Sequence, residues 1–183
     1  MASPDSAQRK RELLRRRLAA ERLTREPTAG GVRRLARTPG VGYPVTPGQR
    51  RMWFLQRLRP DSAAYTISAA FELTGPLDVS ALRGALLAVA RRHEVLRTTY
   101  RVTADGGLEQ VVRDDVTPAW LSVDLSAEPD EDREPRARQI AVRAARRPFD
   151  LTAESPLRVT VLSHGPDRHT LALAAHHIAW DDA

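Results

Sequence analysis

The feature that most constrains the fold of this chain is an apolar run that ends in two adjacent histidines. Residues 171–175 carry no polar side chain, and His176 and His177 follow at once. A short run that is apolar throughout predicts a β-strand buried on both faces of its sheet. Because side chains alternate along a strand, His177 is expected to share a face with Leu171 and Leu173 if the strand continues, whereas His176 points to the opposite face. The two histidines are therefore predicted to have different roles.

An acid completes this pattern, since Asp181 lies four residues after His177. Imidazole titrates near neutral pH, and a carboxylate can orient it or pair with an arginine, so the spacing indicates an acid–base site. The competing interpretation is a core histidine followed by a loop acid. A zinc site is disfavoured because adjacent histidines on opposite faces chelate one ion poorly and because the chain has no cysteine.

Positive charge is concentrated in the N-terminal segment. Residues 1–40 hold 11 basic and 4 acidic residues, whereas the rest of the chain is close to neutral, with 18 and 19. The net charge of +6 is therefore no reason to expect a nucleic-acid partner for the remainder of the chain. No secretory leader and no apolar run of about 20 residues is found, which favours a cytoplasmic protein that does not enter a membrane.

The chain is predicted to divide into two parts. Residues 1–42 comprise a basic helix at residues 7–23, followed by a linker rich in glycine and proline. Residues 43–183 are expected to form the folded part.

Within the folded part, hydrophobic periodicity and turn residues predict a two-layer α/β sandwich with several antiparallel strands. Helices are expected at residues 47–57, 79–92 and 130–146, and strands at residues 64–74, 96–102, 108–113, 119–125, 157–163 and 169–175. Thr46 and Asp78 are the expected N-caps of the first two helices. Trp53, Phe54 and Leu58 are expected to anchor the first helix in the core.

Three blocks of this sequence resemble, in order, the motifs of nonribosomal peptide synthetase condensation domains. They are residues 46–55 (TPGQRRMWFL), residues 92–100 (RHEVLRTTY) and residues 176–181 (HHIAWD). Weaker similarities occur at residues 75–78, 147–151 and 156–158. Two positions depart from the family pattern: Tyr100 replaces the usual phenylalanine, and Asp182 stands where the family has glycine.

The resemblance implies a chloramphenicol acetyltransferase-like fold, in which two lobes surround a tunnel and residues 43–183 supply the first lobe. It makes His177 the catalytic candidate. The candidate supporting residues are His176, Asp181, Arg92 and Arg97. An arginine of the second block is expected to pair with the motif aspartate, and Arg97 is favoured because a charge inside a predicted strand needs a partner. The second lobe is an implied partner that is missing here, so the fragment alone is expected to be inactive.

The resemblance also implies the reaction, which is amide-bond formation between a donor acyl or peptidyl thioester and an acceptor aminoacyl amine. Both substrates arrive on phosphopantetheine arms of donor and acceptor carrier proteins, so the domain is expected to bind no cofactor or metal of its own. The basic N-terminal helix is a candidate docking segment for an upstream synthetase. Neither nucleic acid nor a membrane is an expected partner.

Two other functions stay open at this point. One is an acyltransferase of the same fold that uses a diffusible CoA thioester and shares the His-x-x-x-Asp pattern. The other is a non-enzymatic module whose basic helix docks a partner or binds nucleic acid, with salt-sensitive binding that would survive loss of His177. The first two motif blocks argue against the CoA-dependent enzyme.

Overall fold

The computed structural model describes residue 38 and residues 40–180. In chain order the elements are β1 (Gly42–Pro44), α1 (Pro47–Leu58), β2 (Thr66–Thr74), α2 (Val79–Arg92), a 3₁₀ turn (Glu94–Arg97), β3 (Thr98–Val102), β4 (Leu108–Val112), β5 (Ala119–Asp124), α3 (Asp130–Arg146), β6 (Leu157–Gly165) and β7 (Arg168–His176). The helix predicted at residues 7–23 lies outside the described residues, and the domain boundary at residue 42 stays a prediction. No helix within the described ranges has the length and apolar character needed to cross a bilayer.

The first two helices begin where the sequence predicts. Thr46 and Gln49 form a reciprocal capping box, in which each backbone N–H donates to the side-chain oxygen of the other residue. Asp78 Oδ1 accepts a hydrogen bond from the Ala81 N–H at 2.9 Å. Both predicted N-caps are therefore confirmed.

Only one side of α1 enters the core. Trp53 and Gln56 are buried, whereas Phe54 and Leu58 are 63% and 65% exposed. Successive helical residues are rotated by about 100°, so Phe54 points away from the face on which Trp53 is buried. The expectation that Phe54 and Leu58 anchor the helix in the core is wrong.

Two sheets organise this part of the chain. The larger has the strand order β2-β7-β6-β5, and the smaller has the order β1-β4-β3. β2 and β6 both pair antiparallel with β7, in line with the several antiparallel strands expected, whereas β5 runs parallel to β6. The parallel pair follows from the connection, because α3 lies between β5 and β6 and returns the chain to the same end of the sheet.

A helix packs on each face of the larger sheet. Side chains alternate along β6, so Val159 and Val161 pack with α2 on one face while Leu162 packs with α3 on the other. The predicted α/β class is confirmed, and the structure adds a second helix layer. A separate cluster around Trp53 and Tyr100 joins α1 and the smaller sheet to the end of β7.

The strand predicted at residues 96–102 begins later than expected. Glu94–Arg97 form the 3₁₀ turn, and β3 starts at Thr98. Thr98 Oγ1 donates to the carbonyl oxygen of Glu94 at 2.8 Å. This bond satisfies a backbone acceptor of the turn that would otherwise need a partner on a neighbouring strand. Arg97 therefore ends a turn and does not lie inside a strand, which corrects its predicted position.

Candidate active site

The histidine pair lies where β7 ends. Residues 171–175 are buried or half-buried in β7, between β2 and β6, as predicted for a strand covered on both faces. β7 ends at His176, and His177 begins a turn in which the Ala179 N–H donates to His176 O at 3.0 Å. The His177 N–H donates to Tyr65 O at 2.8 Å, which holds the turn against the start of β2. Because the strand stops at His176, the face expected for His177 from strand alternation does not apply.

The His177 ring has a defined tautomer. Its Nδ1 lies 2.7 Å from the carbonyl oxygen of Trp180. A carbonyl oxygen can only accept a hydrogen bond, so Nδ1–H is the donor and Nε2 of the neutral ring keeps its lone pair. His177 is half-buried. The ring can therefore accept a proton or a hydrogen bond at Nε2 from a group that approaches from solvent.

The His176 ring has the opposite tautomer. Its Nδ1 accepts a hydrogen bond from the Ile178 N–H at 3.0 Å, so the proton is on Nε2, which lies 3.3 Å from Gln56 Oε1. The ring also packs edge-on against Phe149, with 5.8 Å between ring centroids. Both ring nitrogens are thus used within the protein.

Burial makes His176 a weak base. The residue is 1% exposed. Burial, with smaller contributions from His177 and Arg158, lowers the pKa of the His176 ring to about 4. The ring is therefore neutral at neutral pH, and its surroundings suit it to hold the turn and not to transfer protons.

Within the described residues, neither of the two predicted arginines forms a hydrogen bond to a ring of the histidine pair. Arg97 Nη1 pairs with Asp114 Oδ1 at 2.5 Å and donates to Arg113 O at 3.4 Å. Arg92 is exposed at the end of α2, and within the part of the chain that the structure describes no ion pair joins it to an acid. Asp181 lies outside the described residues, so its pairing with Arg97 stays a prediction, as does any effect of the neighbouring Asp182.

The first two motif blocks meet in the core. Trp53 of the first block and Tyr100 of the second pack with 5.9 Å between ring centroids. Gln49 Nε2 donates to the Tyr100 hydroxyl at 3.3 Å and to Gln110 Oε1 at 3.2 Å. Burial raises the pKa of Tyr100 to about 12, so its hydroxyl stays neutral. The block at residues 46–55 therefore serves packing, with one polar contact at the tyrosine that departs from the family pattern.

Tyr100→Phe is expected to be a mild change. It restores the usual residue of the motif and removes one partner of Gln49, which keeps its second contact to Gln110. The expected loss is about 1 kcal/mol in the free energy of unfolding, the net value of a typical hydrogen bond. Urea unfolding of the two proteins measures this difference. A loss above about 3 kcal/mol would contradict the single-bond assignment and indicate disrupted packing around Trp53.

Some residues around the histidines were not predicted from the sequence. Gln56 contacts His176 from α1, and Phe149 contacts it from the loop after α3. Arg158 lies over the Phe149 ring, with its Cζ 3.7 Å from the ring centroid. The available signals were the weak similarities at residues 147–151 and 156–158, and the position of Gln56 on the same helical face as Trp53.

At the end of the larger sheet, the α/β lobe thus places the buried His176 ring beside a His177 ring whose Nε2 is left open by the hydrogen bond at Nδ1. Among the described residues, no three His, Cys, Asp or Glu side chains lie close enough together to hold a metal ion. The model of the Condensation domain family matches residues 41–182. This chain belongs to that family.

Individual relatives agree with the assignment. Phosphinothricin tripeptide synthetase PhsC from Streptomyces viridochromogenes is 39% identical over 139 residues, which cover 75% of this chain and 13% of the relative. PhsB from the same organism is 39% identical over 173 residues, which cover 92% of this chain and 14% of the relative. The chain therefore spans about one seventh of these relatives, at 13% and 14%.

The fold also matches a solved structure. The starter condensation domain of rhizomide synthetase RzmA aligns with a TM-score of 0.69 and 24% identity, over 76% of this chain and 33% of that domain. This likeness bears on the fold alone. It confirms the predicted chloramphenicol acetyltransferase-like condensation-domain fold, of which this chain aligns with a part.

Proposed function

We propose that this chain supplies the histidine-bearing lobe of an amide-forming condensation domain. The observation that carries the proposal is the hydrogen bond from His177 Nδ1–H to Trp180 O, because it leaves Nε2 as the free base of a half-buried ring. The neighbouring His176 is buried and neutral, so a single imidazole is prepared for chemistry.

The reaction proposed is attack of an acceptor amine on the carbonyl carbon of a donor thioester. The new C–N bond forms, the C–S bond breaks, and the proton that the amine loses passes through His177 Nε2 to the departing thiolate. The tautomer favours this role over direct donation to an oxyanion, since a neutral ring with Nδ1–H has no proton on Nε2. When the ring is charged, its bond to Trp180 O becomes a stronger, charge-assisted hydrogen bond.

The substrates and partners follow from the same proposal. Donor and acceptor arrive as thioesters on phosphopantetheine arms of carrier proteins, and a second lobe closes the tunnel from the other side. The names of the relatives, which are peptide synthetases, support carrier-bound substrates. The family match favours this function over the CoA-dependent acyltransferase. The basic N-terminal segment is proposed to dock an upstream synthetase.

The 183-residue chain alone is expected to form no amide product. Without a second lobe, His177 faces water, where electrostatic stabilisation of the reacting groups is weak. The measurement is transfer from a loaded donor carrier to a loaded acceptor carrier, followed by mass spectrometry of the products. Product should appear when a separately expressed second lobe is added. Turnover by the chain alone would contradict the need for that lobe, and no turnover after a complex with the second lobe has formed would contradict the proposed function.

A further inference from the structure

The loop of residues 147–156, which connects α3 to β6, is built around an ion pair between the buried Arg158 and the half-buried Glu154. The Arg158 side chain is only 6% exposed, and its guanidinium binds the Glu154 carboxylate in a two-point fork, with Nη2–Oε1 at 2.6 Å and Nε–Oε2 at 3.1 Å. An ion pair with a buried partner adds little net stability compared with apolar residues of similar size. Stability alone therefore does not explain why Arg158 and Glu154 are paired at this position.

The pair fixes the backbone of the loop. Arg158 Nη1 donates to Arg147 O and Nη2 donates to Pro148 O, both at 2.6 Å. Glu154 Oε1 accepts a hydrogen bond from the Asp150 N–H at 2.8 Å. A planar guanidinium can bind a carboxylate and two carbonyl groups at once, which an apolar side chain cannot do.

The loop held in this way touches His176 at two points. The Arg158 Cζ lies 3.7 Å from the centroid of the Phe149 ring, and the same ring packs edge-on against His176, at 85° between the ring planes. The carbonyl oxygen of Pro156 accepts a hydrogen bond from the His176 N–H at 2.9 Å. The side chain and the backbone of His176 are therefore both positioned by this loop.

His176 in turn sets the turn that carries His177. Its Nδ1 accepts from the Ile178 N–H, and its carbonyl oxygen accepts from the Ala179 N–H. These contacts place His177 between Tyr65 O and Trp180 O, which bind its backbone and its ring. An unbroken series of contacts thus runs from Arg158 to the His177 ring.

We propose that Arg158, held by Glu154, is a positioning residue for the histidine pair. It acts through Phe149 and His176 to keep His177 in the tautomer that leaves Nε2 free, and it touches no substrate. The proposal rests on the proposed function, because it assigns Arg158 to the orientation of the same catalytic base. It also gives a joint role to the motif segments at residues 147–151 and 156–158.

The first test uses the 183-residue chain with ¹⁵N-labelled histidine. Long-range ¹H–¹⁵N spectra distinguish protonated from unprotonated ring nitrogens, so they report the tautomer directly. In the wild-type chain, His177 is expected to be protonated at Nδ1 and His176 at Nε2. Arg158→Met removes the fork, whereas Phe149→Leu keeps the fork and removes the ring contact. Both variants should give averaged His177 signals from a mixture of tautomers.

Arg147→Ala is the matched control. Its side chain pairs with the same Glu154 but is 58% exposed, so its loss should leave both ring spectra unchanged. A purely structural role for Arg158 would lower the melting temperature and leave the tautomers of the folded protein as in wild type. That result would overturn the proposal. If Arg158→Met does not fold, Phe149→Leu decides the question by the same spectra.

The second test measures amide formation by the complete condensation domain, in which this chain is joined to its second lobe. Phe149→Leu should lower kcat by roughly a hundredfold, the scale expected when a reacting group is displaced by about 1 Å, with KM for the donor carrier unchanged. A rise in KM at constant kcat would contradict a positioning role. Undiminished amide formation by His177→Ala would remove His177 from the proposed reaction, and absence of amide product from the wild-type domain would contradict the proposed function. Both results leave the tautomer measurement valid, so these failures are distinguishable from failure of the positioning role.

Discussion

Replacing His177 by alanine is expected to lower the rate of amide formation by the complete condensation domain by roughly two to four powers of ten, the usual contribution of a positioned acid–base group. The ring is half-buried, and its one hydrogen bond within the described part of the chain goes to Trp180 O. Its removal should therefore change the melting temperature little. The measurement is the initial rate of carrier-to-carrier transfer at saturating donor and acceptor carriers.

His93→Ala is the matched control for this experiment. His93 is an exposed histidine that follows α2, so its loss tests whether removal of any imidazole affects the assay. The control should retain the wild-type rate. A wild-type rate for His177→Ala would remove this residue from the mechanism. An equal fall in both variants would point to a general effect on folding.

The sequence predicted those parts of the fold that depend on local pattern. Thr46 and Asp78 cap helices because their side chains reach backbone N–H groups only three residues away. The position of Arg97 could not be predicted in this way. Leu96 is buried in the 3₁₀ turn, directly before a strand rich in β-branched residues. A buried leucine at this position fits either a turn or the start of a strand, so the apolar pattern does not show where β3 begins.

The parallel pairing of β5 with β6 is a tertiary feature. Periodicity marks both segments as strands but carries no information about their relative direction. The helix between them, α3, was predicted with its observed bounds, Asp130–Arg146. A strand, helix and strand in succession favour a parallel crossover, so this signal was available in the order of the elements.

The candidate site was predictable only in part for a similar reason. The two histidines are adjacent in sequence, and their pattern was visible. Gln56, which accepts the His176 hydrogen bond, is 120 positions away in the chain. No local pattern connects residues at that separation. The neutral, buried state of His176 depends on such long-range contacts, and it can be tested through the pH dependence of stability.

The folded chain is expected to lose stability as the pH falls from about 6.5 to 4 because of His176. Its pKa is about 4 in the folded protein against an ordinary value of 6.5. Within this interval the unfolded chain binds a proton that the folded chain excludes, so the free energy of unfolding rises with pH. The contribution of the neutral His176 ring to the free energy of unfolding is fully present above pH 6.5. Each pKa unit corresponds to about 1.4 kcal/mol, so the difference between 6.5 and about 4 amounts to roughly 3 kcal/mol.

Urea unfolding at half-unit steps between pH 4 and pH 7.5 measures this dependence. His176→Gln removes the titrating ring, so the free energy of unfolding of this variant should depend much less on pH. The variant should also be less stable than the wild-type chain at neutral pH. His164→Gln is the necessary companion, because burial and the Arg168 charge also lower the pKa of His164. The carboxylates of Asp105, Asp115 and Asp124 have lowered pKa values, so their losses fall below about pH 4 and outside the interval. An unchanged slope in His176→Gln would mean that His176 is not the buried neutral ring on which the orientation of His177 depends.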